Sequence, residues 1–508
     1  MDKVTVVPAS TPGSFTDEGA PPPGMVRSAH RPDGDVPADA AVPADQANTR
    51  RERDALGEID VSADALWGAQ TQRALRHFPD TGDRMPAALI EALALVKRTA
   101  ARANAALGML DAPQAEAIAR AAEEVMTGQH RQAFPLSIWQ SGSGTQTHMN
   151  MNEVLANRAS ELMGGGRGEA RTVHPNDHVN LGQSSNDVMP TALHIAVLQV
   201  SRDDLMPAID GLRHTFDVHA AGFQSIIKVG RTHLQDAVPL TLGQEVSAWA
   251  SQLEQAQQGW LRQLDPVHEL AIGGTAVGTG LNTHPRFAHH MVEALGHATS
   301  LPLRRATNPF AAQSAHDALV GAHGALRTLA VALIKIANDL RWLASGPRCG
   351  LGELVLPVNE PGSSIMPGKV NPGQCEALIM VAGQVIGNDA AVGFAGTSGH
   401  FQLNTALPLF AHNLLQSLRL LADGIRRFDL HCARGIEPDQ ARMAEHLSRT
   451  LMLVTALVPH VGHDRAAQIA QHAQTQGVTL REAALATGTI TADEFDAWVQ
   501  PSLMTDPG

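Results

Sequence analysis

Four stretches of the chain combine hydroxyl, amide and charged side chains with glycine in a way that could do chemistry. The first is Ser141-Gly142-Ser143-Gly144-Thr145-Gln146-Thr147, which leads into a helix expected from about Met149. The second is His174-Pro175-Asn176-Asp177, followed by Gln183-Ser184-Ser185-Asn186-Asp187 just before a helix expected from Met189. At both places hydroxyls stand beside backbone N–H groups that an opening helix leaves unpaired, the elements of an anion pocket. An ordinary N-cap at Ser184, Asn186 or Asp187, or a flexible Ser/Gly linker in the first loop, would give the same text. The third stretch is Gly230-Arg231-Thr232-His233-Leu234-Gln235-Asp236, a polar turn between a strand-like run and a helix. A histidine there titrates near neutrality and suits a general acid or base. The fourth is Gly362-Ser363-Ser364-Ile365-Met366-Pro367-Gly368-Lys369-Val370-Asn371-Pro372. Two prolines and two glycines bound a shaped loop in which Lys369 offers a point charge for a carboxylate and Asn371 offers amide donors.

Other chemistries lack their patterns. The 24 histidines show no metal-ligand spacing and no HExxH text. Gly278-Thr279-Gly280 follows no strand signal and so is not a dinucleotide loop. The text around Gly142-Ser143-Gly144 has no strand–turn–helix elbow to make a hydrolase nucleophile. Cys349, Cys375 and Cys432 form no CxxC pair and no closed disulfide set, which favours a reducing compartment. With 38 Lys and Arg against 51 Asp and Glu, the net charge is −13. That balance argues against nucleic acid or an anionic membrane as the main partner, so a site for an anion has to be built locally. No signal core or apolar run long enough to span a bilayer is evident, and the acidic N-terminus does not suit a mitochondrial presequence. The expectation is a cytoplasmic protein.

The elements that must hold these loops read as helices. Leu89, Leu93, Val96, Ala100, Ala103 and Leu107 share one helical face, as do Leu242, Val246, Trp249 and Leu253. Leu326, Leu329, Leu333, Ile336, Leu340 and Leu343 make a seam suited to nearly parallel packing. A single helix over Ser314 to Ala344 would span roughly 45 Å, a length typical of bundles. Another helix is expected from Leu407 to Phe428. Strand signals are few, Ile226 to Val229 being one, and no βαβ repeat appears. The apolar faces exceed what one partner helix covers, which predicts an oligomer. Residues 1–48, rich in Pro, Ala and Asp, read as a disordered extension.

The four loops, in this order and spacing, resemble the class II fumarases of the fumarase/aspartase superfamily. The 362–372 loop is similar to the superfamily signature, and its continuation Gly373-Gln374-Cys375-Glu376 resembles fumarase rather than aspartase. The likeness runs from about Thr49 to near Pro501. It includes Leu66-Trp-Gly-Ala-Gln-Thr-Gln72, Gly273-Gly-Thr-Ala-Val-Gly-Thr-Gly280 and Ala344-Ser-Gly-Pro-Arg-Cys-Gly350.

The resemblance implies an all-α, three-domain fold with a central long-helix bundle forming a tetrameric core. The expected divisions are 49–185, 186–405 and 406–508. It implies reversible hydration of fumarate to (S)-malate without metal or other cofactor, in a homotetramer whose active sites are shared between subunits. An aspartate ammonia-lyase relative is the alternative. It assigns Ser363 as base toward the C3 proton, His233 to proton transfer at the hydroxyl side, and Glu376 to orienting the histidine. Substrate contacts map onto Ser143, Gly144, Thr145, Ser184, Ser185, Asn186, Thr232, Ser364, Lys369, Val370 and Asn371. A secondary dicarboxylate site maps onto Arg171, His174, Asn176 and Asp177. The sequence departs from the family pattern at His148, His178, His400 and Gln402.

Overall fold

The computed structural model describes residues 48–507; the extension expected over 1–48 lies outside them but for Asn48. The predicted apolar faces become the core. Leu89, Leu93 and Val96 are fully buried on helix α1 (Ala87–Ala106), which packs on the helix Ala112–Met126. Helix α2 (Thr145–Leu162) starts four residues earlier than expected, directly after the Ser/Gly loop. Helix α3 (Ser185–Val200) likewise begins inside its polar motif and runs through a wide turn at Ser201–Leu205 into α4 (Met206–Gly222). The second early start has a local cause, the capping box of Ser184 and Asp187, whereas α2 opens on Gly144 in the left-handed region with no side-chain cap.

The hairpin β1 (Ile227–Thr232) and β2 (Gln235–Thr241) follows, antiparallel, with Thr232 opposite Gln235. Helix α5 (Leu242–Leu264) opens on a capping box from Thr241 and buries Leu242, Val246, Trp249 and Leu253. Trp249 meets Phe216 of α4 edge-on at 5.5 Å and donates its indole N–H to Asp339 at 2.9 Å. A fully buried aromatic of this size contributes roughly 2–3 kcal/mol through burial alone.

Helix α6 (Asp317–Leu343) carries the six-residue seam, every member of which is buried. It is shorter than the single helix expected from Ser314. A separate turn of helix, Pro309–Ser314, precedes it, capped by Asn308, and Ala315 is extended at φ −137°. The break turns His316 inward, where its ring meets Phe410 edge-on at 5.4 Å. Helices α7 (Gly373–Gly396) and α8 (Leu407–His431) complete the bundle, α7 packing between α6 and α8. Both α6 and α7 are long and apolar enough to cross a membrane by composition, but they are packed as bundle helices.

One continuous core runs from Met85 to Met443 and includes Phe410, Leu414, Leu418, Leu421, Ile425 and Phe428 of α8. A second, separate core unites Leu457, Ile469, Ala473, Leu480, Ala483 and Phe495. Helix α8 therefore shares the bundle's core, although the expected boundary at 405/406 stands in front of it. Among the described residues β-structure is limited to five two-stranded sheets, most with strands of two residues, too short to be read from alternation.

Candidate active site

The first two motifs meet where α2 and α3 begin. Ser143 Oγ lies 2.7 Å from Thr145 Oγ1, which lies 3.0 Å from Ser185 Oγ. Asn186 Nδ2 donates to the Ala276 carbonyl at 2.9 Å, tying this cluster to the glycine-rich stretch after α5. Gly144 is the residue that precedes α2, and Ser184 caps α3, accepting from the Asn186 N–H at 3.2 Å. The box is closed by Asp187, whose carboxylate accepts from the N–H groups of Ser184, Gly273 and Thr275 at 2.9–3.1 Å. Burial pushes the Asp187 carboxyl up to about 6 despite those three donors and Lys97. The first loop has no room for a side chain at position 142: a Cβ there would stand 1.5 Å from the Thr405 carbonyl, and the Gly142 carbonyl accepts from the Leu407 N–H.

Behind the two helix starts lies a narrow cleft lined by Ser143, Ser185, Asn186, Gln313 and His316. Three polar atoms around it are buried without a partner: His316 Nδ1, Gln313 Oε1 and Thr275 Oγ1. Burial drives the His316 imidazole down to about 3, so it is neutral at physiological pH. The motif reading passed over Lys97, Gln313 and His316, and gave Asp187 only as an N-cap candidate. Lys97 did carry a signal, being a lone cation on an otherwise apolar helical face.

Thr232 and His233 sit at the tip of the β1–β2 hairpin. His233 and Leu234 both adopt the left-handed region, at φ 56° and 61°, a conformation that costs L-residues energy and lifts the tip away from the chain. Thr232, His233 and Leu234 are exposed. The hairpin's base is anchored by the fully buried Glu353. Its carboxylate holds Arg231 at 2.8 Å, His446 at 2.9 Å and the buried ammonium of Lys228 at 3.2 Å. Burial alone would raise the Glu353 carboxyl; Arg231, Lys228 and His446 hold it below the usual range instead. Glu353→Gln leaves the part-buried Arg231 without its carboxylate and the buried Lys228 with Glu245 alone, at 3.0 Å. It is expected to cost about 3 kcal/mol or more, read as a lower midpoint in denaturant unfolding, with reduced turnover because the His233 tip loosens.

In the fourth motif Ser363 Oγ accepts from the Met366 N–H at 3.0 Å and more weakly from the Ile365 N–H at 3.4 Å. Lys369 Nζ donates to Asn371 Oδ1 at 2.6 Å, and the Asn371 amide donates to the Gly362 carbonyl. The neck of the loop closes through the Gly362 N–H to the Lys369 carbonyl at 3.1 Å. A Cβ on Gly362 would come within 2.5 Å of that same oxygen. Ser364, Lys369, Val370 and Asn371 are exposed. Glu376, in the first turn of α7, stands 3.9 Å from Arg341.

Among the described residues no hydrogen bond joins His233 to Glu376, or either of them to the 143–145 and 184–186 cluster. One chain thus brings together the first two motifs, and leaves the hairpin tip and the 362–371 loop as separate exposed groups. The last four positions also have partners. Arg171 pairs with the buried Glu52 at 3.0 Å. His174 Nδ1 accepts from the N–H groups of Asn176 and Asp177 at 3.3 and 3.1 Å, and both of those residues are exposed. A surface cavity of about 730 Å³ lies between α7 and α8, and none of the predicted positions lines it.

Known proteins identify this arrangement. Residues 57–387 match the lyase family model, and residues 453–506 match the model of the fumarase C C-terminus. The chain belongs to the lyase family and, within it, to the class II fumarases. It is 59% identical over 457 residues to the class II fumarate hydratase of Nitrosomonas europaea, covering 90% of this chain and 99% of that protein. The class II fumarate hydratase of Chromobacterium violaceum is 60% identical over 455 residues, with the same coverage. The crystal structure of the class II fumarase of Schistosoma mansoni superposes with a TM-score of 0.89 at 44% identity, covering 91% of this chain and all of that one. The all-helical fumarase/aspartase fold expected from the sequence is the fold observed.

Proposed function

We propose that this chain is a class II fumarate hydratase, a hydro-lyase that interconverts fumarate and (S)-malate. The observation that carries the reading is the meeting of Ser143, Thr145, Ser185 and Asn186 at two adjacent helix starts. Hydroxyls, an amide and the positive ends of two helix dipoles there suit a carboxylate.

Malate dehydration needs a proton taken from C3, a weak carbon acid. Ser363 Oγ takes that proton. The electron pair moves into the neighbouring carboxylate, giving an aci-carboxylate that carries one more negative charge. The N–H groups at the helix starts, Asn186 and the Lys369 ammonium stabilise this charge where it develops. The C2–O bond then breaks as His233, or a water it holds, protonates the departing hydroxyl. Fumarate and water are left; hydration is the reverse. Thr232, Ser364, Val370 and Asn371 flank the dicarboxylate, and Glu376 orients His233.

His233 and Glu376 are not bonded within one chain, so we infer that the site is completed by other copies in a homotetramer. Support comes from α7, of whose most apolar stretch only 28% is buried, with Met380 and Phe394 about two-thirds exposed. An apolar face of that extent marks an interface. We keep the three-part organisation as a proposal, with divisions at 185/186 and 405/406. The secondary dicarboxylate site at Arg171, His174, Asn176 and Asp177 and the cytoplasmic location are also proposed. The first would have to recruit Arg171 away from Glu52.

The direct test is the ultraviolet absorbance of fumarate formed from (S)-malate and from L-aspartate under matched conditions. Malate is expected to be preferred by roughly 10³-fold or more, since a site built to bond a hydroxyl rejects a group that pairs differently. Dominant turnover of aspartate would overturn the assignment in favour of an ammonia-lyase.

A further inference from the structure

Lys97 is fully buried on α1, and among the described residues its ammonium has no carboxylate in direct contact. Instead Nζ lies 2.8 Å from His148 Nε2, 3.0 Å from Asn180 Oδ1 and 3.0 Å from Gln183 Oε1. These three partners occupy telling positions. His148 is in the first turn of α2, with its N–H bonded to the Gly144 carbonyl. Asn180 and Gln183 form the turn that delivers Ser184, the cap of α3; the Asn180 amide donates to the Gln183 carbonyl and the Gln183 amide to Val179 and Leu181. One side chain therefore stitches together the two helix starts whose outer faces carry Ser143, Thr145, Ser185 and Asn186. An uncompensated buried ammonium is costly to keep, and an apolar residue would pack the same space more cheaply.

We propose that Lys97 is a positioning residue for the dicarboxylate pocket, holding the starts of α2 and α3 in register and adding its positive charge behind them to favour an anionic ligand. This rests on the dicarboxylate reading of the site. A neighbouring cation in a low-dielectric interior acts on an anion over several ångströms with little screening. The three partners accommodate Lys97 in either protonation state. When charged, it donates to all three. When neutral, it donates to the two amide oxygens and accepts from His148, whose imidazole shifts its proton to Nε2. Burial draws the Lys97 ammonium well below its usual range, opposed by Asp187, and burial also holds His148 neutral. His148 from α2 and Asp187 from α3 are the titratable groups that act on Lys97. On the other elements packed around α1, Glu123 faces Arg98 and Arg102, Glu293 faces His289, and the His178 imidazole accepts from the His174 N–H.

The sign follows. As pH rises through the lowered titration of Lys97, the pocket loses a positive charge and dicarboxylate affinity falls. The test is calorimetric titration of the intact oligomer with succinate, a dicarboxylate that cannot react, between pH 7 and pH 10. Lys97→Met is expected to weaken succinate binding about tenfold at pH 7.5 and to remove this alkaline loss. His148→Leu keeps the lysine but removes an acceptor for its charged form, so the alkaline loss should move down by about one pH unit. Wild-type affinity and an unchanged pH profile in folded Lys97→Met would overturn the proposal. If that variant does not fold, an unshifted profile in His148→Leu overturns it equally. A wild-type protein that neither binds succinate nor turns over malate would sink the dicarboxylate reading and this inference with it. Binding by the wild type with unaltered variants sinks the role of Lys97 alone.

Discussion

Ser363→Ala should lower malate turnover by about 10²- to 10⁴-fold while leaving succinate affinity within a few fold of wild type, the signature of losing a proton-transfer group rather than a binding group. A neutral serine hydroxyl is a poor base, so the argument depends on what surrounds its oxygen. The Met366 and Ile365 N–H groups point at Ser363 Oγ. Donors fixed in that way favour the ionised form of the group they face, and thus the alkoxide. Lys369 is the other group of the loop that could favour the alkoxide. In the folded loop its ammonium is engaged by Asn371. On the proposed mechanism the loop N–H groups are the donors in place to favour the alkoxide, and Lys369 is assigned to the substrate carboxylate. Stopped-assay kinetics on malate, paired with succinate titration of the same preparation, give both halves of the result. Near-wild-type turnover with normal binding would remove Ser363 from the role of base.

What could be read from the sequence, and what could not, divides along physical lines. The long helices were legible because burial imposes a 3.6-residue period on Leu and Val over many turns; the seam from Leu326 to Leu343 is buried as spaced. The polar motifs were legible because Gly, Pro, Ser and Asn interrupt that period. Their helix starts were placed late, at Met149 and Met189 instead of Thr145 and Ser185, because capping residues read as loop when only apolar periodicity marks a helix. The break at Ala315 and His316 was invisible for a different reason: neither residue breaks helices by itself, and the turn exists because the imidazole packs against Phe410, a partner 94 positions away. Lys97 stands out as a lone cation on an apolar helical face, but its role does not. Its meaning depends on Asn180 and Gln183, and no local pattern connects residues so far apart. Which core α8 joins was not legible either, because an amphipathic stripe does not say which core it packs into.

Hybrid assemblies of His233→Ala and Ser363→Ala chains should recover roughly a quarter of wild-type activity, although each variant alone is lowered by 10² or more. In a random equal mixture each residue is intact at a given site half the time, so both are intact at about one site in four when they come from different chains. If one chain supplied both groups, every site would lack one of them and nothing would be regained. The geometry favours the first case. His233 projects from a strained, exposed hairpin tip whose base is fixed by Glu353, while Ser363 lies in a loop that leads into α7, the helix with the large unburied apolar face. A tip built to project at an energetic cost needs something to project into, and the chain's own motif loops make no hydrogen bond to it. Co-expressed, differently tagged chains purified through both tags supply confirmed hybrids. Activity at the level of the single variants in such hybrids would mean that each site is built within one chain, and the exposed hairpin tip would then need another explanation.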